Sequence, residues 1–461
     1  MSHLHVVILA AGKSTRMKSA QPKVLHRLAG RSLIEHVLHS ASALAAQSTT
    51  VVVGHGAADV QAALAGHPKL QFVTQFPQMG TGHALLQAEP LLEGQKGTVL
   101  LLYADVPLLS AGTLQRLVET HHAKRAVATV LTAMMADPYG YGRIVRDAKG
   151  EIVRIVEERD ASADERALSE INTGIYTLAL DGLFESVRGL AADNAQGEYY
   201  LTDLVAQYRR QGRRVETMCV SDAEEIRGVN SRVDLADVAR IVRARKNRDL
   251  MMAGVSIEDP GTAYIDQDVV IGADTVIGPG VRLEGKTVMG TGCRVHAGVR
   301  VTDGTIGDAV TVLDHSVIIS STVDAGAQIG PFAHLRPGSH VGPEARVGNF
   351  VELKKTSLGR GSKASHLTYL GDATIGADVN IGAGTITCNY DGENKHPTVI
   401  EDGAFIGSDS QLVAPVRVGK GAYVAAGSSI TKDVPADSLA IARAQQVVKE
   451  GWAKRRKKGQ H

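Results

Sequence analysis

Four stretches of this chain carry side chains whose types and spacing suit chemistry. The first is Gly12-Lys13-Ser14-Thr15-Arg16-Met17 with Pro22-Lys23 close behind, a glycine loop offering backbone N–H groups and three cations. That combination holds a triphosphate. It is not a Walker A loop, because Val7 stands where the first glycine is required. Gly54-His55-Gly56 fails as a dinucleotide fingerprint, since Asp59 occupies the third glycine position. The second stretch is Tyr103-Ala104-Asp105-Val106-Pro107, where Asp105 can offer a carboxylate to a nucleotide-bound Mg²⁺, although a helix cap is the plainer use of a lone aspartate. The third is Lys363-Ala364-Ser365-His366-Leu367-Thr368-Tyr369, whose histidine is the side chain best suited to take a proton near neutral pH. With 17 histidines in the chain, packing is the default role for any one of them. The last is Lys454-Arg455-Arg456-Lys457-Lys458, which reads as a solvated, disordered end, the alternative being a clamp for the acidic phosphates of a coenzyme.

The glycine loop follows His5 to Ala11, a β-branched and aliphatic run that suits a buried strand of a parallel sheet. Thr49 to Val53 and Thr98 to Tyr103 repeat the pattern, with helical segments between, as in an α/β domain. Ligands of open α/β sheets sit at the carboxyl ends of the strands, which is where Gly12 and Asp105 fall. Ser231-Arg232-Val233-Asp234 then opens a segment like a capping box, with Leu235, Val238, Ile241 and Val242 at helical spacing and Gly254 as a stop. This predicts a helical arm of roughly 35 Å, read as a plain spacer.

His366 lies in a stretch of a different kind. From about Ile265 to Ile430 an aliphatic residue followed by glycine returns at steps of six, as in Ile271-Gly272, Ile277-Gly278, Val341-Gly342, Val347-Gly348, Ile375-Gly376, Ile381-Gly382 and Ile406-Gly407. Such a hexapeptide repeat predicts a parallel β-helix, each unit being a short strand plus a tight turn and three units closing a triangular coil. Of the 49 glycines, 28 lie between Gly254 and Gly427, and Gly, Asp, Asn and Ala are expected at the turns. About 165 residues make roughly nine coils and about 45 Å of rod. The chain is 4% aromatic, which suits a narrow interior. The repeat breaks near Gly384 to Val399, where Thr385 to Lys395 is polar and turn-rich and is expected to project as a loop.

A length of 461 residues fits two or three domains. The partition expected is residues 1–230, a helical linker 231–253, and a repeat domain 254–461. A net charge of +1 implies no general attraction to nucleic acid or membrane. No apolar run approaches the roughly 18 residues of a membrane span, and the start shows no basic region followed by a cleavage site. Cys219, Cys293 and Cys388 form no disulfide framework or C-x-x-C pair and read as small hydrophobes in a reducing, cytoplasmic compartment.

Leu9 to Met17 and Lys23 resemble the signature loop of sugar-nucleotide pyrophosphorylases. Gln75, Gly80-Thr81-Gly82, Tyr139 to Arg143, Glu157, Glu170 to Gly174, Gly197 to Tyr200 and Gly228-Val229-Asn230 extend that resemblance. With the repeat added, the chain resembles the family of bifunctional N-acetylglucosamine-1-phosphate uridyltransferases/glucosamine-1-phosphate acetyltransferases from about residue 5 to 452. The resemblance implies a Rossmann-like nucleotidyltransferase domain joined to a left-handed β-helix. It gives Leu9, Ala10, Ala11, Gly12, Lys23, Gln75, Gly80, Thr81, Tyr103 and Ala104 to the uridine nucleotide, Gly142, Glu157 and Asn172 to the sugar, and Asp105 and Asn230 to Mg²⁺. Lys23 and Arg16 are expected to act on the transferring phosphate.

In the repeat, the same resemblance gives Arg336, Lys354, Tyr369, Asn380, Asn389 and Tyr390 to glucosamine 1-phosphate, with Arg336 and Lys354 clamping its phosphate. Ala383, Ser408, Ala426 and Arg443 fall to acetyl-CoA, and His366 becomes the base for the glucosamine amine. Ser14, Ala104 and Ser365 stand where the family usually carries glycine. UTP, acetyl-CoA and the two sugar phosphates are the expected small-molecule partners, in a homotrimer with sites between neighbouring prisms. The resemblance implies UDP-N-acetylglucosamine as the product, for bacterial cell-envelope synthesis, peptidoglycan and lipopolysaccharide included. Two other readings exist: a single-activity nucleotidyltransferase whose β-helix only assembles subunits, and a regulatory protein that only binds sugar nucleotides. Retention of His366, Lys354 and Tyr390 argues against the first, and of Lys23, Asp105 and Asn230 against the second.

Overall fold

The computed structural model describes residues 3–13, 15–67 and 69–458, so Ser14 lies outside the described residues. Two compact units divide between Val242 and Arg243.

In the first unit, Leu4–Ala10, Ser48–Val53, Leu70–Thr74 and Thr98–Tyr103 pair in parallel. Val6 and Ile8 enter one core while Val7 and Leu9 enter the other, so the run is apolar throughout because both faces are covered. Glu170–Ala179 joins antiparallel beside Thr98–Tyr103, followed by Ala128–Met134 and Val215–Cys219 at the edge. A hairpin of Arg143–Arg146 and Ile152–Val156 attaches through Ile171 and Arg143. The four parallel strands end on one edge, so the segments after Ala10, Thr74 and Tyr103 are neighbours.

The helix Arg232–Met252 starts at a reciprocal cap: Asp234 N–H donates to Ser231 Oγ at 3.2 Å, and Ser231 N–H donates to Asp234 Oδ2 at 2.8 Å. It is not a plain spacer. Val238, Ile241 and Val242 join Leu28, Leu33, Leu108 and Val229 in a core of the first unit. In the second unit Asn247, fully buried, donates to the Pro260 and Ala263 carbonyls at 2.9 and 3.1 Å, and Leu250 joins the prism core.

The second unit is a prism of three parallel sheets with 11, 10 and 9 strands, from Ser256–Ile257 to Leu439–Ala440. It runs beyond both ends of the glycine pattern, to ten coils rather than nine, because the end coils keep an inward aliphatic such as Ile257 without the following glycine. The core is almost wholly Val, Ile, Leu and Ala. Glycine follows the inward aliphatic because coils stack too closely for a side chain: a Cβ on Gly382 would stand 2.5 Å from the Ser408 nitrogen. Hydroxyls at the corners, Thr356 to the Leu370 carbonyl at 2.8 Å and Ser362 to the Gly376 carbonyl at 2.7 Å among them, satisfy buried backbone acceptors.

Three further expectations are corrected. The corners are not confined to small and turn-forming residues, since Phe332, Phe350 and Leu367 hold φ of 53°, 56° and 48° on one edge. The Phe332 ring stacks outside the prism on His315 at 5.3 Å and on Phe350 at 5.5 Å, contacts that offset the strain of a bulky residue at positive φ. The basic tail is helical over Trp452–Lys458, since Ala, Lys and Arg are good helix formers and Arg456 lies 5.2 Å from the Trp452 ring one turn away. Of the cysteines only Cys293 is a core residue, Cys219 being exposed and Cys388 half-buried. Among the described residues no helix is long and apolar enough to cross a membrane.

Candidate functional sites

At the carboxyl edge of the first sheet lies a cleft of about 530 Å³, lined by Leu9, Ala10, Ala11, Gly12, Lys13, Lys23, Gln75, Gln78, Gly80, Thr81, Tyr103, Asp105 and Glu198 among others. Its walls are tied together by hydrogen bonds. The Ala104 N–H donates to the Leu9 carbonyl at 3.1 Å, Gln78 Nε2 to the Ala11 carbonyl at 3.1 Å, and buried Gln75 Nε2 to the Gly80 carbonyl at 3.0 Å. Gly80 has φ of 98°, and a Cβ there would collide with the Tyr199 backbone, whose N–H donates to the Met79 carbonyl. Ala104 and Ser365 are not among the residues with positive φ, so a side chain in place of glycine brings no backbone strain at either.

Lys23 Nζ donates to Asp105 Oδ2 and, at 3.1 Å, to Asn230 Oδ1, joining residues 82 and 207 positions apart. Asn230 is held from below, because its N–H donates to Asp234 Oδ2 at 3.0 Å and the neighbouring Val229 N–H to the Asp105 carbonyl at 2.9 Å. One carboxylate and one amide oxygen thus converge on one cationic position. Such a hard oxygen pair fits Mg²⁺, which takes few protein ligands and completes its shell with waters and phosphates. Arg16 is exposed on the turn Thr15–Met17 and does not line the cleft.

Gly142, Glu157 and Asn172 form a second group. The Asn172 N–H donates to the Gly142 carbonyl at 2.8 Å, and a Cβ on Gly142 would lie 3.5 Å from both Glu157 Oε1 and Asn172 Cβ. The Asn172 Oδ1 accepts from the Tyr176 hydroxyl at 2.9 Å. Burial, with the charges of Asp160, Asp203 and Glu198 added, pushes the Glu157 carboxyl above its usual range against a hydrogen bond from Thr202. Tyr103 links the two groups: burial first, then the charges of Glu157 and Asp105, raise its phenol.

In the prism, Asn349 pairs beside His366, and the column continues two residues beyond the paired Ile381, Ile406 and Val424 through Ala383, Ser408 and Ala426. Below the exposed His366 this edge is therefore a track of small side chains. Arg443 Nη1 donates to the Ala426 carbonyl at 2.6 Å.

At the other end of the short strand Tyr369–Gly371, Lys354 Nζ donates to Asp372 Oδ2 at 3.2 Å, and Asn389 Nδ2 donates to the same oxygen. A Cβ on Gly371 would fall 2.7 Å from Asn389 Nδ2 and against the Tyr369 hydroxyl. Against its desolvation, the hydrogen bonds from Lys354 and Asn389 hold the Asp372 carboxyl below the usual range. Contact with Lys354, then its charge, lowers the Lys395 ammonium. Arg336 Nη1 donates to Glu352 Oε1 at 2.9 Å, and Glu352 pairs beside Tyr369. Lys354, Tyr369 and Asn389 are thus brought together; Tyr390, exposed, turns its hydroxyl to the Gly392 carbonyl, and Asn380 sits at a register position between Lys363 and Phe405. Asp372 and Asn349 were missed in the sequence, where only their cross-coil spacing could have found them, while Lys395 was named only as the end of the projecting loop. That spacing changes here: Ser357 pairs with Thr374 and Thr374 with Val399, so a coil of 17 residues is followed by one of 25, which carries the loop.

Residues 6–175 match the MobA-like NTP transferase domain, and residues 268–303 and 397–432 match the bacterial transferase hexapeptide (six repeats). The chain is 52% identical over 458 residues to a bifunctional protein GlmU from Pelobacter propionicus, covering 99% of this chain and 100% of the relative. It is 54% identical over 449 residues to that of Syntrophotalea carbinolica, covering 97% and 96%. A third, from Shouchella clausii, is 50% identical over 455 residues, covering 99% and 100%.

Proposed function

As the chain belongs to the family of bifunctional GlmU proteins, we infer that it acetylates glucosamine 1-phosphate with acetyl-CoA and then couples the product to UTP, giving UDP-N-acetylglucosamine and pyrophosphate. The observation that carries this reading is about 50% identity along the whole chain, so that both catalytic units are matched at once.

In the prism, the neighbouring side chains of Lys354 and Lys395, with Arg336 as a further cation, suit the anionic sugar phosphate. His366 takes a proton from the glucosamine ammonium, the freed amine attacks the thioester carbonyl, and the C–S bond breaks to release coenzyme A. The small-residue track through Ala383, Ser408 and Ala426, closed by Arg443, takes the coenzyme arm. His366 is exposed in the single chain, which supports a homotrimer whose neighbouring prism covers it. UTP and acetyl-CoA as co-substrates suit a cytoplasmic enzyme.

In the cleft, Gly12 and Lys13 hold the triphosphate, Gln75, Gln78 and Gly80 the base, and Glu157 and Asn172 the sugar. The sugar phosphate oxygen attacks the α-phosphorus of UTP and pyrophosphate leaves in line. Lys23 stabilises the charge that develops on the transferring group, with Arg16 reaching the pyrophosphate from the rim. Asp105 and Asn230 would hold Mg²⁺, which would supply neutralisation of the phosphate charge.

Two substitutions test the division of labour. Asp105→Asn is expected to lower uridylyl transfer by orders of magnitude and leave acetyl transfer intact. His366→Ala is expected to lower acetyl transfer about 10²–10⁴-fold and leave uridylyl transfer intact. Near-normal acetyl turnover in the histidine variant would remove it as the base.

A further inference from the structure

His366 has two ring nitrogens, and only one can meet the substrate amine. Its Nδ1 lies 2.8 Å from Asn349 Oδ1. An amide oxygen only accepts, so this contact requires the proton on Nδ1 and leaves the Nε2 lone pair free. Asn349 is itself fixed by the fold. It pairs directly beside His366 on the preceding coil, and its carbonyl accepts from the Leu367 N–H at 3.0 Å. Phe350 and Leu367, with φ of 56° and 48°, turn the chain at the same corner immediately after Asn349 and His366. The two side chains therefore leave equivalent positions of stacked coils.

We propose that Asn349 is a positioning residue for acetyl transfer, holding the His366 ring in the tautomer and orientation that present Nε2 to the glucosamine amine. The proposal rests on the reading of His366 as base. In the reaction the Nε2 lone pair takes the ammonium proton, the Nδ1–H stays on Asn349, and the cation so formed keeps its hydrogen bond. An acceptor at position 349 thus serves both protonation states of the ring. Asn349 itself touches no reacting atom.

The test compares Asn349→Ala with Asn349→Asp in the full-length protein, measuring acetyl transfer, uridylyl transfer, melting temperature and oligomer size. Asn349→Ala is expected to lower kcat for acetyl transfer at least about tenfold, within the range a positioned base contributes. The KM for glucosamine 1-phosphate should change little, as should the other three quantities. Asn349→Asp retains an acceptor and should restore most of kcat. Nitrogen chemical shifts of the His366 ring should show Nδ1 protonated in the native protein and a mixture of tautomers in Asn349→Ala. Unchanged kcat in Asn349→Ala, or native tautomer populations in that variant, would overturn the proposal. So would an equal loss when Asn349→Ala is added to His366→Ala, because Asn349 would then act without the histidine. Failure of the underlying reading is distinguishable, since His366→Ala alone would then keep near-normal turnover.

Discussion

Burial of an ionisable group at a binding site costs stability in proportion to its pKa shift, and Glu157 is such a group. Its carboxyl is raised by burial above the ordinary value near 4.5, so the folded state binds its proton more tightly than the unfolded chain does. The cost of holding it ionised is absent below about pH 4.5, appears as the pH rises past that value, and is complete above the folded-state pKa. Glu157→Gln is therefore expected to raise the melting temperature of the first unit at pH 7–8, with the gain shrinking toward pH 4. Uridylyl transfer should fall in the same variant. A variant less stable at pH 8 than at pH 4, relative to the native protein, would show the carboxylate to be a structural anchor. At this scale the candidate residues carried by a motif were legible as groups that the fold brings together: Lys23, Asp105 and Asn230 form one cluster, as do Lys354, Tyr369 and Asn389. Asp372 and Asn349 were not, because each is placed by a cross-coil neighbour 17 positions away, and a single sequence does not display such pairs.

The elements explain why the two kinds of site tolerate different changes. In the prism the spacing between coils is set by backbone hydrogen bonds, so a methyl group at a stacked glycine has no room to move. Gly382→Ala places Cβ 2.5 Å from the Ser408 nitrogen and is expected to cost about 1–3 kcal/mol, read as a lower melting temperature of the second unit. An unchanged melting temperature would mean that the coils separate readily. The helix Arg232–Met252 is held differently, by its cap and by apolar contacts. Ser231→Ala should cost about 1 kcal/mol through loss of the hydrogen bond to the Asp234 N–H, and because Asp234 also holds the Asn230 N–H it should weaken uridylyl transfer as well. The period-six repeat and the capping box made both elements legible in advance. What the repeat could not convey was the aromatic edge of Phe332 and Phe350, since positive φ at a bulky residue follows from stacking between coils rather than from local preference. Nor could helical spacing alone tell a spacer from a helix whose Val238 and Leu250 enter cores.

For the whole molecule, two units with separate cores imply separable activities. A chain ending at Arg248 retains the helix face that packs against Leu28 and Leu108, and is expected to keep uridylyl transfer while losing acetyl transfer. A folded but inactive fragment would show that the first unit depends on the second. The central claim is that one chain performs both transfers in sequence, and a single reaction tests it most directly. Purified protein is incubated with glucosamine 1-phosphate, acetyl-CoA, UTP and Mg²⁺, and all products are identified against time. N-acetylglucosamine 1-phosphate should rise and then fall as UDP-N-acetylglucosamine accumulates, with one coenzyme A and one pyrophosphate released per product. Formation of UDP-N-acetylglucosamine only when N-acetylglucosamine 1-phosphate is supplied, with acetyl-CoA left unconsumed, would contradict it.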